Sequence, residues 1–303
     1  MIDESVVGPY KLYAEGTFGN GHREYIGARF VCRFCGRGKP EATFKKKAHA
    51  IPEFMGNHRL ILNSECDDCN KHFGDILEPH LAIYTGPFRA LQGITNKSRK
   101  TPKHRDDKVR ELHFDRHNNN LRIMLADDDA IEQIDENSTR LILNRPSFKP
   151  YLAYQALCKI AMSVIDDQML PLFSKTLDWL NPRSKTGLIV NNAQVIEGLV
   201  PGANLREGIY RLFLHSSHKK PHCMFWITCG GYTIQACIPM DFDLLPDKQT
   251  ESTIPFVPDY RSAEMIERFG PMGRFVRDFS SPVPLLLPHE TIFRFTTMEE
   301  ITP

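Results

Sequence analysis

The sequence predicts an α+β protein in two parts, a small metal-bound ββα unit near the N-terminus and a larger α+β domain with an antiparallel sheet. Three observations predict it. Two Cys-x-x-Cys pairs, Cys32/Cys35 and Cys66/Cys69, lie 30 residues apart and enclose a stretch of strand, turn and strand character. A helical apolar period, Phe73, Ile76, Leu77, Leu81 and Tyr84, follows the second pair. Beyond residue 110, short strand-like runs bounded by turn residues accompany one long amphipathic helix.

The elements follow in order. Residues 1–27, rich in glycine and aromatics, supply a strand or loop that packs on the cysteine unit. Ala28–Cys32 is a short strand leading into the first knuckle, Cys32-Arg33-Phe34-Cys35-Gly36. Thr43–Ile51 reads as a strand broken at Pro52, Gly56-Asn57 as a turn, and Arg59–Leu62 as a second strand. The helix opens at Asp67, completing ββα. Glu111–Phe114 and Leu121–Leu125 flank Asn118-Asn119-Asn120 as a hairpin, and Arg140–Leu143 is a further strand. Pro150–Ile165 carries apolar residues at helical spacing, and Asp166–Leu180 continues as helical segments broken at Pro171. Tyr210–His215, Met224–Cys229 and Thr233–Ile238 are strands, the last two joined across Gly230-Gly231. The Pro-rich tail from Leu244 is loosely structured, with a short helix near Ser262–Phe269. The expected division is a metal-stabilised domain at 1–95, a basic linker at 96–110 and an α+β domain at 111–303.

Composition bounds the class. With 41% hydrophobic and 25% charged residues over 303 positions, the chain can bury a sizeable core. No apolar run approaches a membrane span, and the N-terminus lacks the basic and apolar regions of a secretory signal. The expectation is therefore a cytoplasmic protein with no membrane partner, in which paired cysteines stay reduced and hold metal. The net charge of +1 conceals an asymmetry: residues 20–110 carry 18 Lys/Arg against 10 Asp/Glu. Lys97, Arg99, Lys100, Lys103, Arg105, Lys108 and Arg110 crowd one segment, which suits either a polyphosphate partner or a solvated linker.

Four thiolates in two knuckles match a tetrahedral structural Zn²⁺ site, which ties together a unit too small to have a core of its own. His49 ends the first strand and Asn70 follows Cys69, so folding the strands back brings strand end and helix start together. An imidazole there can deprotonate water near neutral pH, and an amide oxygen beside it can hold a hard divalent cation such as Mg²⁺. Lys45, Lys46 and Lys47 before His49, Arg59 in the turn and Lys71 on the helix are candidate nucleic-acid contacts. These are the parts of a metal-assisted phosphodiester hydrolase. The run His215-Ser-Ser-His218 with His222-Cys223 fits no established metal spacing, and Cys158, Cys229 and Cys237 read as core.

The combination C-x-x-C…H-x-I-P…C-x-x-C-N-x-x-F-G resembles the zinc-stabilised branch of the HNH endonucleases, of the ββα-metal (His-Me finger) superfamily, over roughly residues 28–85. Its AHAIPE, GN and EC-x-x-CN segments are similar to HNH proteins of bacteria and their mobile elements that are often associated with anti-phage defence. The resemblance implies that His49 is the general base, Asn70 a ligand of the catalytic cation, and the four cysteines the structural zinc ligands. The substrate it implies is nucleic acid, above all DNA. One position departs: many members carry an acidic residue or histidine before the catalytic histidine as a second cation ligand, and here that residue is Ala48. Glu53 and His72 are the nearest replacements, and Asn57 or Asn63 could serve as the middle asparagine that orients the base. A non-catalytic zinc module that binds nucleic acid or protein is the competing expectation, with Ala48 in its favour. The larger domain is expected to select substrate, bind a regulatory partner or second copy, or restrain the nuclease.

Overall fold

The computed structural model describes residues 6–294 except 96–97, 99, 116–117, 119, 186, 188–192, 203–206, 218, 246–249 and 251–253. Its elements run β1 (Val6–Val7), β2 (Tyr10–Phe18), β3 (Glu24–Ile26), β4 (Ala48–His49), β5 (Leu60–Leu62), α1 (Asp67–His72), α2 (Glu78–Leu91), β6 (Val109–Asp115), β7 (Asn120–Leu125), β8 (Ile131–Asp135) and β9 (Ser138–Leu143). There follow α3 (Pro150–Val164), α4 (Ser174–Leu180), β10 (Gln194–Leu199), β11 (Gly208–His215), β12 (Cys223–Cys229), β13 (Tyr232–Ile238), α5 (Ala263–Phe269), β14 (Gly273–Asp278) and β15 (His289–Arg294). The class is α+β, with a seven-stranded antiparallel sheet in the order β1-β2-β11-β12-β13-β10-β14.

That sheet draws on both ends of the chain. The sequence reading groups residues 1–27 with the cysteine unit, yet β2 pairs along its length with β11, some two hundred residues away. Tyr10 and Phe18 explain why: both are buried, and the Tyr10 hydroxyl donates to the carbonyl of Pro221. The Pro-rich tail likewise yields two unforeseen strands, β14 on the sheet edge and β15 beside β9.

The ββα unit stands as expected in outline and shorter in detail. β5 lies between β3 and β4, so only Ala48 and His49 pair across to Leu62 and Ile61. The rest of Thr43–Ile51 is not strand, because the Lys45 and Lys46 N–H groups donate to the Asp67 carboxylate instead of to a neighbouring strand. Ala28–Cys32 is a turn with one bridge, Val31 to Gly38, and Phe30 at φ 68°. The helix after Cys66 runs to Leu91, widened to π spacing over Phe73–Leu77. Pro79 has no N–H for the Asp75 carbonyl, which loosens the ladder at that point.

The unit does not pack apart from the rest. One continuous apolar core holds Cys32, Phe34, Ile51, Phe73, Leu81 and Tyr84 together with Ala156, Leu157, Ile160, Phe225 and Ile234. Helix α3 packs against both α2 and β13, and the Tyr84 hydroxyl of α2 donates to Glu197 of β10 at 2.5 Å. The expected linker is structured in its described part: His104 bridges Leu112, and both Lys103 (2.7 Å) and Arg105 (2.8 Å) pair with Glu111. Those two cations hold the Glu111 carboxyl down to about 2. Lys97 and Arg99 lie outside the described residues. Among the described residues, no helix is long and apolar enough to cross a membrane.

Candidate active site

The cysteine site is assembled by two local turns. In the first, the Gly36 N–H returns to the Cys32 carbonyl at 2.8 Å, with Gly36 at φ 69°, a left-handed position that glycine adopts without a Cβ clash. In the second, Cys66 caps α1 and the Asn70 N–H bonds its carbonyl at 2.9 Å, turning Cys66 and Cys69 to one side. All four sulfurs lie within 4.8 Å of one another, and Cys35 Sγ is 3.8 Å from Cys66 Sγ. A tetrahedron of ~2.3 Å metal–sulfur bonds has edges of ~3.8 Å, so the donor set fits Zn²⁺.

The electrostatics agree. The hydrogen bond from Cys69, with backbone N–H groups, pulls the Cys32 thiol down to about 5. The same bond and burial push Cys69 up, and burial pushes Cys66 up to about 11. Four adjacent sulfurs cannot all ionise without a cation among them; a bound Zn²⁺ removes that conflict. Among the described residues, this is the one place where three or more His, Cys, Asp or Glu ligand atoms converge so closely.

His49 ends β4 with its imidazole partly exposed. Its backbone is held from several sides. The Ala50 N–H bonds the Leu60 carbonyl, and the loop beyond is tied down by Asn57, which is fully buried. Asn57 Nδ2 donates to Ile51 O (2.8 Å) and Leu60 O (2.9 Å), and its Oδ1 accepts from the N–H groups of Arg59 (3.1 Å) and Leu60 (2.8 Å). Asn57 thus braces the chain on both sides of the turn. The Asn63 N–H bonds Ile26, which ties β5 to β3.

Asn70 sits in α1, on the helix whose start is docked against the approach to His49. Asp67 accepts from the Thr43 hydroxyl and from the Lys45 and Lys46 N–H groups, and its own N–H donates to Thr43. These bonds from neighbouring donors hold the Asp67 carboxyl below its usual range, against a desolvation that works the other way. His49 lies three residues beyond Lys46, and Asn70 three beyond Asp67.

Of the replacements for a ligand at position 48, Glu53 is near His49. Ala48 itself is buried. Glu53 Oε1 lies 3.7 Å from His49 Nε2 and 3.9 Å from His58 Nδ1. His72 packs its ring edge on Phe73, and partial burial lowers its proton affinity.

Lys45, Lys46 and Lys47 are all exposed, and among the described residues no carboxylate lies within ion-pair distance of them. Lys71 is exposed but pairs with Asp75 one turn on. Arg59 is largely enclosed: its guanidinium donates to Thr17 and lies 3.4 Å from Glu24 and 3.2 Å from Glu207. A phosphate would have to displace those partners. His215 and His222 are buried against Tyr10 and Phe242 respectively, and His218 lies outside the described residues.

A ββα unit braced by a four-cysteine site, with a histidine at the end of its first strand and an asparagine on its helix, defines the class of zinc-scaffolded ββα modules. Residues 32–83 match the family described as HNH endonuclease. The match covers under a fifth of the chain. No curated protein and no solved structure is significantly similar to the chain. An HNH module implies a nucleic-acid substrate.

Sequence reasoning missed three residues that shape this site. Arg33, Glu65 and Lys159 are buried side-chain charges: Lys159 pairs with Glu65, Arg33 pairs with Asp167 at the end of α3, and Lys159 is a lone cation in the otherwise apolar run Leu157–Met162 of α3. That isolation was the one signal the sequence carried.

Proposed function

We propose that the protein is a divalent-metal-dependent endonuclease that hydrolyses phosphodiester bonds in DNA, with His49 as general base and Asn70 as a ligand of the catalytic cation. The observation that carries this reading is the docking, through Asp67, of the chain leading to His49 onto the helix bearing Asn70, inside an HNH module. A partly exposed imidazole at that position takes the proton of an attacking water at neutral pH. The exposed ammonium groups of Lys45, Lys46 and Lys47 provide the bed for phosphates flanking the cut. Asn70 and Glu53 are the oxygen donors that would hold Mg²⁺ or a similar ion, which supplies charge stabilisation for the leaving oxygen. The four cysteines hold Zn²⁺ as scaffold and take no part in the chemistry. The cellular setting, cytoplasmic anti-phage defence with a regulatory partner or second copy restraining the nuclease, rests on the resemblance alone.

One observation favours a second reading. The buried methyl of Ala48 occupies a position where a cation ligand is common in the family, which suits a zinc module that binds nucleic acid or protein without cutting it. Incubating zinc-loaded protein with supercoiled plasmid or RNA, with Mg²⁺, Mn²⁺, Ni²⁺ or EDTA, separates the two. Nicked or linear plasmid with metal and none with EDTA is expected. Binding without cleavage of either nucleic acid in any metal supports the second reading.

A further inference from the structure

Helix α3 lies outside the matched HNH segment, yet it is fastened to that segment twice. Arg33, between the first two cysteines, caps the end of α3. Its Nη1 donates to the carbonyls of Met162 (2.6 Å), Ser163 (3.2 Å) and Ile165 (3.1 Å), and its Nη2 pairs with Asp167 at 2.7 Å. Lys159 reaches the other way, from the middle of α3 into the ββα unit. Its side chain is enclosed, and its ammonium lies 3.2 Å from Glu65, 3.7 Å from Glu78 and 3.2 Å from the main-chain carbonyl of His49. The Phe73 ring closes the remaining side at 5.6 Å.

An enclosed ammonium has three protons to place, and each unplaced one costs the fold. Here the carbonyl of His49 accepts one hydrogen bond and two carboxylates lie within ion-pair distance. The three partners come from three parts of the unit: Glu65 precedes the second knuckle, Glu78 opens α2, and His49 ends β4. Main-chain pairing holds β4 over two residues, and the Lys159 ammonium adds a bond to the His49 carbonyl from outside the sheet.

We propose that Lys159 is a positioning residue for His49: from α3 it gathers the His49 carbonyl, Glu65 and Glu78 on one ammonium and so fixes the backbone that presents the imidazole. The HNH module is then incomplete without α3, and the larger part of the chain supports the base directly. The consequence for rate rests on the nuclease reading; the consequence for the conformation of His49 does not.

Neutralising buried Glu65 and partly exposed Glu78 is the purely structural alternative, and a compensated variant removes it. In full-length Lys159→Met/Glu65→Gln/Glu78→Gln the charges disappear together while the donor to His49 stays absent. Steady-state cleavage of a labelled duplex, zinc content, thermal midpoint and the NMR signals of ¹³C-labelled histidine, assigned with His49→Ala, are compared with wild type. We expect retained zinc and midpoint, KM within about twofold, kcat lower by about tenfold or more, and shifted or broadened His49 signals. Wild-type kcat with wild-type His49 signals overturns the proposal. If wild-type protein cuts nothing, the nuclease reading fails and the His49 signals alone decide: altered supports the positioning role, unaltered overturns it. Should the triple variant lose zinc, Lys159→Arg, which keeps the charge and moves the donors, is judged by the same signals.

Discussion

Removing the Asn57 side chain tests how the His49 loop is held. Asn57→Ala deletes four hydrogen bonds of 2.8–3.1 Å at a fully buried site. Each such bond contributes about 1 kcal/mol net, and the loss is greater where a buried backbone group is left without a partner. Because all four belong to one residue they do not simply add, and a loss of about 3–4 kcal/mol is expected. Asn57→Asp keeps the two accepted bonds and, at neutral pH, loses both donated ones, so it should fall between. Its deficit should shrink on acidification, because a protonated carboxyl can again donate and a buried charge disappears. The assay is denaturant unfolding followed by circular dichroism, with zinc content measured alongside. An Asn57→Ala protein within about 1 kcal/mol of wild type would refute the reasoning, since that is the net worth of a single bond.

The remaining predictions address the metal, the cap, the surface and the pH response. Replacing any one of Cys32, Cys35, Cys66 or Cys69 by serine should lower zinc from one per chain and destabilise the core those residues join, read by elemental analysis and thermal unfolding. Arg33→Leu leaves three carbonyls at the end of α3 without their donor and should cost about 3 kcal/mol; a change below about 1 kcal/mol in denaturant unfolding would show that water replaces the cap. Lys45→Ala/Lys46→Ala/Lys47→Ala should leave stability unchanged while flattening the salt dependence of DNA binding, by up to about 0.9 in log–log slope for each lost phosphate contact. Burial first, then Arg145 and Arg277, push the proton affinity of His289 well below its ordinary value. Its unfolded form takes up a proton below about pH 6.5 and the folded form does not, so stability is intact above that pH and falls beneath it. His289→Leu should reduce this acid loss by about 1 kcal/mol per pH unit, measured as unfolding free energy at pH 7.5 and 5.5.

What the sequence disclosed was local. The two knuckles, the ββα order, the hairpin now seen as β6 and β7, and the helix at Pro150 are all written in spacing and turn residues over a few tens of positions. What it concealed was pairing over distance. Nothing in Tyr10–Phe18 announces β11 as its neighbour, and the exposed pattern of Gly273–Asp278 hides an edge strand. The strand expected over Thr43–Ile51 shrank because the Asp67 carboxylate competes for its N–H groups, a tertiary contact no propensity reports. The same limit applies at the site. His49 and the cysteines could be named from their motif, whereas the four hydrogen bonds of Asn57 and the bond from Lys159 to the His49 carbonyl come only with the fold. Arg59, a plausible phosphate contact in the sequence, turned out to be engaged by Thr17, Glu24 and Glu207.

The most direct test of the central claim compares wild type with His49→Ala on supercoiled plasmid in Mg²⁺, both proteins first shown to carry equal zinc and to unfold at the same temperature. The account predicts that wild type nicks or linearises the plasmid and that the variant, intact in zinc and fold, does not, with a loss of at least about 10² in rate. Equal cutting by an intact His49→Ala protein would contradict the assignment of His49 as the base.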